Sequence, residues 1–258
     1  MSRPIAARRH DDILKRIEIT GTVSVEELSR KFGVSRETIR RDLRALAERG
    51  RVDVVHGGAA RREVVEPALG QRARENVAGK SAIGRAAAGL VENGMVVLLD
   101  SGTTTLAVAQ SLRTKQNLTI CTNSLPIAQL LCRVHGTRVH MLGGEIDPTD
   151  EAAVGIDVIE ALGRFRVDIA FVGAGGLSDH GDVTDYTRTG AEYRARMVRA
   201  AARPYFVLDR DKFGRLTPIR IAGSESAGLI LDVAPPQRMA ERLQHRGVEV
   251  VIASGPDQ

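Results

Sequence analysis

The sequence predicts two units: a small N-terminal winged helix-turn-helix and a larger α/β domain built on a mainly parallel sheet. Three observations predict this. Glycine-punctuated amphipathic helices fill the stretch up to Gly50. Beyond residue 79, short apolar β-branched runs alternate with helical segments. The charge divides the same way: residues 1–62 hold 15 Lys+Arg against 9 Asp+Glu, and the remaining 196 residues hold 22 against 23. The expected divisions are 1–59 for the first unit, 60–78 for a connector and 79–258 for the second. A length of 258 residues accommodates two domains.

The first unit is read in chain order. Ile13, Leu14 and Ile17 recur at helical spacing, so residues 8–19 form an amphipathic helix that Gly21 ends. Thr22 to Ser24 leave room only for a short extended stretch. Ser24-Val25-Glu26-Glu27 is a capping box, in which the Ser24 hydroxyl reaches the Glu27 amide and the Glu27 carboxylate reaches back. It opens a helix from Val25 to Phe32 with Val25, Leu28 and Phe32 on its apolar side, stopped by Gly33. Ser35 caps a third helix, Arg36 to Arg49, ended by Gly50. Arg51 to Val55 is a short β-ribbon with His56-Gly57-Gly58 as its exit.

The third helix has two unlike faces. Ile39, Leu43 and Leu46 must pack inward. Arg36, Glu37, Arg40, Arg41 and Arg44 lie opposite. In a recognition helix the N-terminal residues reach base edges and flanking cations grip phosphates. Candidate contacts to double-stranded DNA are therefore Ser35, Arg36, Glu37, Thr38, Arg40, Arg41 and Arg44, with His56 at the ribbon. The plain competing reading is a solvated charged face. Arg outnumbers Lys 32 to 5, so the basic excess by itself decides nothing. Four arginines on the second helix of a helix-turn-helix favour DNA.

Residues 60–78 are polar, contain Pro67 and Gly70, and read as a partly helical connector. In the second unit the expected strands are Val96–Asp100, Leu118–Thr122, Arg138–Leu142, Val167–Val172, Tyr205–Leu208, Leu229–Leu231 and Val248–Ile252. Helices are expected at 80–92, 105–112, 125–133, 157–164, 190–202 and 236–246. Short strands of continuous hydrophobicity suit a parallel sheet covered on both faces.

Polar or glycine-rich turns follow these strands at Asp100–Thr105, Thr122–Ser124, Gly143–Gly144, Gly173–Gly176 and Asp209–Lys212. In open α/β sheets the ligand crevice lies outside the carboxyl ends of the strands. Asp100-Ser101-Gly102-Thr103-Thr104-Thr105 is the most informative, because hydroxyls beside a helix start make an anion cradle. A simple N-cap is the competing reading. Asn123-Ser124 suits an N-cap or a ligand contact equally, and Lys212 suits a ligand anion or Asp209.

Other classes are disfavoured. The aromatic content is 3% with no Trp, which starves a single-strand binder of stacking platforms. Apolar runs such as Val96–Leu99 are too short for a bilayer, and MSRPIAARRHDD lacks the apolar core of a secretory signal. Cys121 and Cys132, both among apolar residues, suit a reducing cytoplasm. Gly173-Ala174-Gly175-Gly176 is no dinucleotide fingerprint, Gly79-Lys80-Ser81 is no Walker A loop, and His and Cys lack metal-ligand spacing. No cofactor and no metal are expected.

The run VSVEELSRKFGVSRETIRRDLRALAERG, ending in HGGA at His56 to Ala59, resembles the N-terminal domain of the DeoR family of bacterial transcriptional regulators. One departure is Val54, where members often carry arginine. LLDSGTTT, TNSLPIA, GGE, FVGAGG and VLDRDKFGR are similar to that family's effector domain, which is related to sugar-phosphate isomerases. The resemblance covers residues 8–252. It implies that Ser101, Gly102, Thr103, Thr104 and Thr105 hold an effector's phosphate, and that Asp100, Asn123, Gly144, Gly173, Asp209 and Lys212 line the pocket. DVTDYTRTGAEYRARM and DVAPP resemble the branch that represses glycerol-3-phosphate genes, which implies glycerol 3-phosphate first and a sugar phosphate second as effector. A homodimer or homotetramer is implied too. The alternative is a sugar-phosphate isomerase or deaminase with a basic appendage. Such chemistry needs a positioned base, for which Asp182, Asp185 and Glu192 are the available acids.

Overall fold

The computed structural model describes residues 6–49, 51–61, 66–215 and 217–253. The chain divides into two units, Met1–Val64 and Val65–Gln258. No described helix is long and apolar enough to cross a membrane.

The first unit holds α1 (Ala6–Thr20), β1 (Thr22–Ser24), α2 (Val25–Phe32), α3 (Arg36–Glu48), β2 (Val52–Val55) and β3 (Gly58–Arg61). The strands form an antiparallel sheet in the order β1-β3-β2. Ile13, Ile17, Leu28, Ile39, Leu43, Leu46 and Val52 make one core, each with at most 2% of its surface exposed. Gly33 ends α2 in the left-handed region, at φ 63°, where a side chain would be strained. The Ser24 hydroxyl accepts from the Glu27 amide at 3.1 Å, but the Glu27 carboxylate pairs with Arg16 rather than closing the box. Gly50, the expected helix stop, lies outside the described residues.

Gly58 explains part of the HGGA exit. A Cβ there would sit 2.0 Å from the Val23 carbonyl oxygen of β1. Gly58→Ala must push β1 away from β3, and overpacking of this kind costs about 1–3 kcal/mol. Thermal unfolding of the variant should show that loss. An unchanged midpoint would mean that β1 shifts freely.

The second unit contains α4 (Leu69–Arg72), α5 (Val77–Gly89), β4 (Val96–Leu99), α6 (Thr103–Ser111), β5 (Thr119–Thr122), α7 (Leu125–Leu131), β6 (Arg138–Met141), β7 (Glu145–Asp147), β8 (Ala152–Val154), α8 (Ile156–Leu162) and β9 (Val167–Val172). It continues with β10 (Gly176–Leu177), β11 (Val183–Asp185), α9 (Arg188–Ala200), β12 (Ala201–Leu208), β13 (Ile219–Arg220), β14 (Gly228–Leu231), α10 (Gln237–His245) and β15 (Val250–Ile252). Seven strands form a parallel sheet in the order β15-β14-β12-β9-β4-β5-β6. Alternate residues of β12 serve opposite faces: Phe206 and Leu208 join α8, α9 and α10, while Tyr205 and Val207 join α5, α6 and α7. The central strands are therefore covered on both sides, as their apolar runs predict, whereas the edge strand β6 exposes Arg138, His140 and Met141.

The strand order has one switch point, where open α/β sheets form their ligand crevice. From β4 the chain steps outward to β5 and β6, while from β9 it steps the other way to β12, β14 and β15. The turns after β4 and β9 therefore diverge at adjacent strands, the place where open α/β sheets bind ligands.

Two expectations differ from the structure. Residues 66–78 are partly helical, as expected, but they pack on the second unit rather than only joining two units: Leu69 and Arg72 are buried, and the Leu69 amide donates to Thr149 at 2.8 Å. The expected edge at residue 59 falls inside β3, whose hairpin needs residues 60 and 61, and residues 62–65 lie outside the description. Of the two cysteines, Cys132 is exposed at the end of α7 and Cys121 is buried in β5. His140 stands exposed on the edge strand β6, its ring centroid 5.1 Å from that of Phe165.

Candidate functional site

In the first unit, the inward face of α3 fixes its outward face. Asp42 sits on the inward side, buried, and accepts from Arg9 Nε at 2.5 Å and from Arg9 Nη2 at 3.1 Å. His10 Nε2 lies 3.0 Å from the same carboxylate. Burial pushes the Asp42 carboxyl up, but the Arg9 and His10 hydrogen bonds outweigh it, so it stays below the usual range. These contacts tie α1 to the middle of α3. The sequence signal was a carboxylate between Ile39 and Leu43, on a side that otherwise holds apolar residues.

Arg36, Glu37, Arg40, Arg41 and Arg44 are exposed on the other side, and Thr38 is half-buried. Ser35 is the N-cap: its hydroxyl accepts from the Thr38 amide at 3.1 Å and lies 2.9 Å from the Thr38 hydroxyl. Arg36 pairs with Glu26 at 3.3 Å and Arg40 with Glu37 at 3.6 Å, both in the open. Exposed pairs are worth about 0–1 kcal/mol, so both guanidiniums are available to phosphates or bases. His56 is exposed at the β2–β3 turn, beside Val54 and Val55, which are also exposed.

In the second unit, Asp100 closes β4 with no exposed surface. Its carboxylate accepts from the Ser101 amide at 2.8 Å, the Gly173 amide at 3.0 Å and Arg194 Nε at 2.8 Å. Asp100 thus bolts together the two diverging turns. Burial pushes its carboxyl upward, against the pull of Arg194 and the two amides. A Cβ on Gly173 would lie 3.3 Å from the Ser101 carbonyl oxygen, so this position needs a small residue. Arg194 projects from α9 and also pairs with Asp185.

The turn after Asp100 presents polar atoms without partners among the described residues. Gly102 has φ 134°, a conformation reserved for glycine, and no side chain caps the start of α6 among the described residues. Thr105 donates its hydroxyl to the Gly102 carbonyl at 2.9 Å, Thr104 is buried and Thr103 half-buried. Ser101 Oγ and Asn123 Oδ1 are both buried, with no hydrogen-bond partner among the described residues. Buried polar atoms left so are uncommon and point to a missing ligand or water. Asn123 and Ser124 divide their two readings: Ser124 caps α7, accepting from the Ile127 amide at 3.5 Å, while Asn123 donates to Ala153 at 3.0 Å and keeps its oxygen free.

Asp209 follows β12, accepts from the Asp211 amide at 3.0 Å and faces Lys80 Nζ at 4.0 Å. Lys212 pairs with Glu66 at 3.6 Å rather than with Asp209. Burial pulls the Lys212 ammonium down to about 8 despite Glu66. Gly144 is exposed at the start of β7, where a Cβ would meet the Val154 carbonyl oxygen at 2.5 Å. It is a packing position of the β7–β8 hairpin and makes no polar contact with the Asp100 network.

Several residues of this crevice were not singled out from sequence. Two largely buried charge clusters stand here: Arg72 pairs with Glu66 and Asp150 while Lys212 pairs with Glu66, and Arg194 pairs separately with Asp100 and Asp185. Arg215 donates to the Tyr186 hydroxyl at 3.0 Å. Of the three acids considered for isomerase chemistry, Asp185 is committed to Arg194. Asp182 is half-buried and pairs with Arg246 at 3.1 Å, and Glu192 is exposed with Arg196 at 3.1 Å. None is a free base in the crevice.

Comparison with known proteins follows the same division. The family model of the DeoR-like helix-turn-helix domain matches residues 9–64, and that of the DeoR C terminal sensor domain matches residues 75–232. The glycerol-3-phosphate regulon repressor of Escherichia coli (strain K12) is 31% identical over 89% of this chain and 91% of that protein. The HTH-type transcriptional repressor GlcR of Bacillus subtilis (strain 168) is 31% identical over 89% of this chain and 90% of its own length. Among solved structures, ribose 5-phosphate isomerase A from Methanocaldococcus jannaschii aligns over 55% of this chain and 57% of that chain. It does so at 17% identity and TM-score 0.41, a likeness too loose to argue from.

Proposed function

This chain belongs to the DeoR family of transcriptional regulators, and we propose that it represses genes of carbohydrate or polyol metabolism until a phosphorylated metabolite releases it from its operator. The arginine face of α3 supplies the DNA contacts. Ser35 and Thr38 supply hydroxyls at its start, and His56 serves the hairpin that follows. The crevice at the divergence of β4 and β9 supplies the effector site.

One observation carries the effector reading. Two buried oxygens, on Ser101 and Asn123, stand without partners among the described residues, near a helix start with no side-chain cap among them. A phosphate would accept from the first amides of α6 and from the hydroxyls of Ser101, Thr103 and Thr104, on the positive end of the helix dipole. The Asn123 oxygen can only accept, so it suits a hydroxyl of the effector's carbon skeleton. Asp209 likewise offers an acceptor to a hydroxyl, and Lys212 a cation to the phosphate. Glycerol 3-phosphate is the first candidate and a sugar phosphate the second, following the name of one relative. The regulator acts as a homodimer or homotetramer, because helix-turn-helix dimers read paired half-sites.

Ser101→Ala tests the reading. It removes a buried hydroxyl that has no partner, so the fold should keep or slightly gain stability. Effector affinity should fall by about 1.5–3 kcal/mol, the worth of a hydrogen bond to a charged group. Calorimetric titration with glycerol 3-phosphate beside thermal unfolding measures both. A less stable variant with undiminished affinity would give Ser101 a structural role instead.

The pH dependence has a defined sign. Lys212 carries the charge that attracts phosphate, and burial sets its ordinary loss of that charge near pH 8. Effector affinity should therefore hold from about pH 6, where the phosphate gains its second charge, to pH 7 and fall through about pH 8, earlier than for an exposed lysine near 10.4. Lys212→Met should flatten the profile across that window. A wild-type profile level from pH 7 to pH 9 would place Lys212 away from the phosphate.

A further inference from the structure

Glu66 carries a consequence that lies outside the effector contacts. Its carboxylate sits among the crevice cations, 3.0 Å from Arg72 and 3.6 Å from Lys212, with 13% of its side chain exposed. Asp150 shares Arg72 and crowds the same spot with a second negative charge. Burial and Asp150 both push the Glu66 carboxyl up, so its charge is held against opposition. The titratable groups facing it are Asp150, Lys212, Arg194, Arg72 and Tyr186.

The segment that bears Glu66 is secured mainly by polar ties. Arg72 Nε donates to the Pro67 carbonyl at 2.7 Å, Lys80 Nζ to the Arg72 and Glu75 carbonyls at 2.6 and 2.7 Å, and the Leu69 amide to Thr149 at 2.8 Å. Leu69 is its buried apolar anchor. Along the chain, only residues 62–65 separate the end of β3 in the DNA-binding unit from Glu66.

We propose that Glu66 is a built-in competitor for the effector's anionic group, and that the strap from Glu66 to Arg72 is what the effector dislodges to signal toward the DNA-binding unit. The proposal rests on the reading that this crevice takes an anion. A phosphate near Lys212 brings a charge of about −1.5 to −2 beside Glu66 and Asp150. Three anions cannot share Lys212 and Arg72 at equal strength. Asp150 stands in the turn between two paired strands, β7 and β8. Glu66 stands on a short strap, so it is the group that yields. The ligand's differential affinity for the two strap positions is then the coupling that any switch requires.

The test uses the full-length protein with inorganic phosphate and glycerol 3-phosphate as probes. Hydrogen exchange at the Leu69, Arg72 and Ala73 amides, which donate within or from the strap, should accelerate when the wild type is saturated with probe. Glu66→Gln should bind each probe about tenfold more tightly, within the range usual for coupled sites. Its strap amides should exchange fast without probe. Probe binding that slows or leaves unchanged the strap amides overturns the strap while leaving the anion site standing. Equal or weaker binding by a folded Glu66→Gln makes Glu66 part of the site's wall and overturns the competition. If neither probe binds either protein, the anion reading fails and the proposal with it. Should Glu66→Gln not fold, the wild-type exchange result decides alone.

Discussion

Replacing Arg194 with methionine should destabilise the second unit by about 3–5 kcal/mol, the usual cost of leaving buried charges without their partner. Arg194 is 4% exposed and pairs with both Asp100 and Asp185, neither of which has another cation within salt-bridge distance among the described residues. Methionine fills much of the volume, so the loss is mostly electrostatic. Urea unfolding followed by a probe in the second unit measures it. The loss should shrink as pH falls and the stranded Asp100 carboxyl, which burial already pushes up, takes up a proton. The sign follows from its state: charged it is penalised by burial, neutral it is not. A variant within about 1 kcal/mol of wild type, the spread of ordinary substitutions, would show that Asp100 and Asp185 are satisfied without Arg194. Combining Asp100→Asn with Arg194→Met should recover part of the loss, since one stranded charge is gone.

The second large effect concerns α3. Arg40→Ala and Arg41→Ala should each weaken operator binding by about 1–3 kcal/mol if the arginine is bidentate to guanine. A smaller loss, uniform across sequences, is expected if it contacts phosphate. Both are exposed and neither supports the core, so the folded state should be unaffected. Asp42→Asn offers a contrast. Asp42 is buried against Arg9 and His10 and faces away from the arginines, so its loss should lower stability and DNA affinity together. Fluorescence anisotropy with a labelled operator, beside thermal unfolding, separates the cases. Undiminished affinity in the Arg40/Arg41 double variant would move the DNA contact to another surface.

Much of this architecture is legible in the sequence because it rests on local signals. Ser24, Gly33 and Ser35 mark their helix ends through caps that operate over three or four residues. The core strands announce themselves as apolar runs, since a strand covered on both faces has no polar side to show. The strands β7, β8, β10, β11 and β13 have two or three residues each, too few for any periodicity to register. The polar turn at Asp100 to Thr105 is likewise readable, because glycine and hydroxyls at a helix start have a local meaning.

The charge network is not readable, because it is made by distance in sequence. Arg194 meets Asp100 across 94 positions and Arg72 meets Asp150 across 78. What the sequence does offer is Arg194 on the same side of α9 as Ala191, Ala195 and Val198, where a cation is out of place unless paired. Residues 66–72 look like a connector because their polar composition suits solvent. Their place in the crevice depends on Glu66 and Arg72 finding partners contributed by other loops.

On the proposed reading, a phosphorylated metabolite in the β4–β9 crevice controls the grip of α3 on DNA. The direct measurement is operator binding by the full-length protein, titrated with glycerol 3-phosphate, glycerol and several sugar phosphates. At least one phosphorylated compound should release the operator, with a coupling of about 1–3 kcal/mol, and its unphosphorylated parent should not. Ser101→Ala should need more of that compound for release while binding the operator as before. Release by glycerol as readily as by its phosphate, or a Ser101→Ala release curve that matches the wild type, would contradict the account.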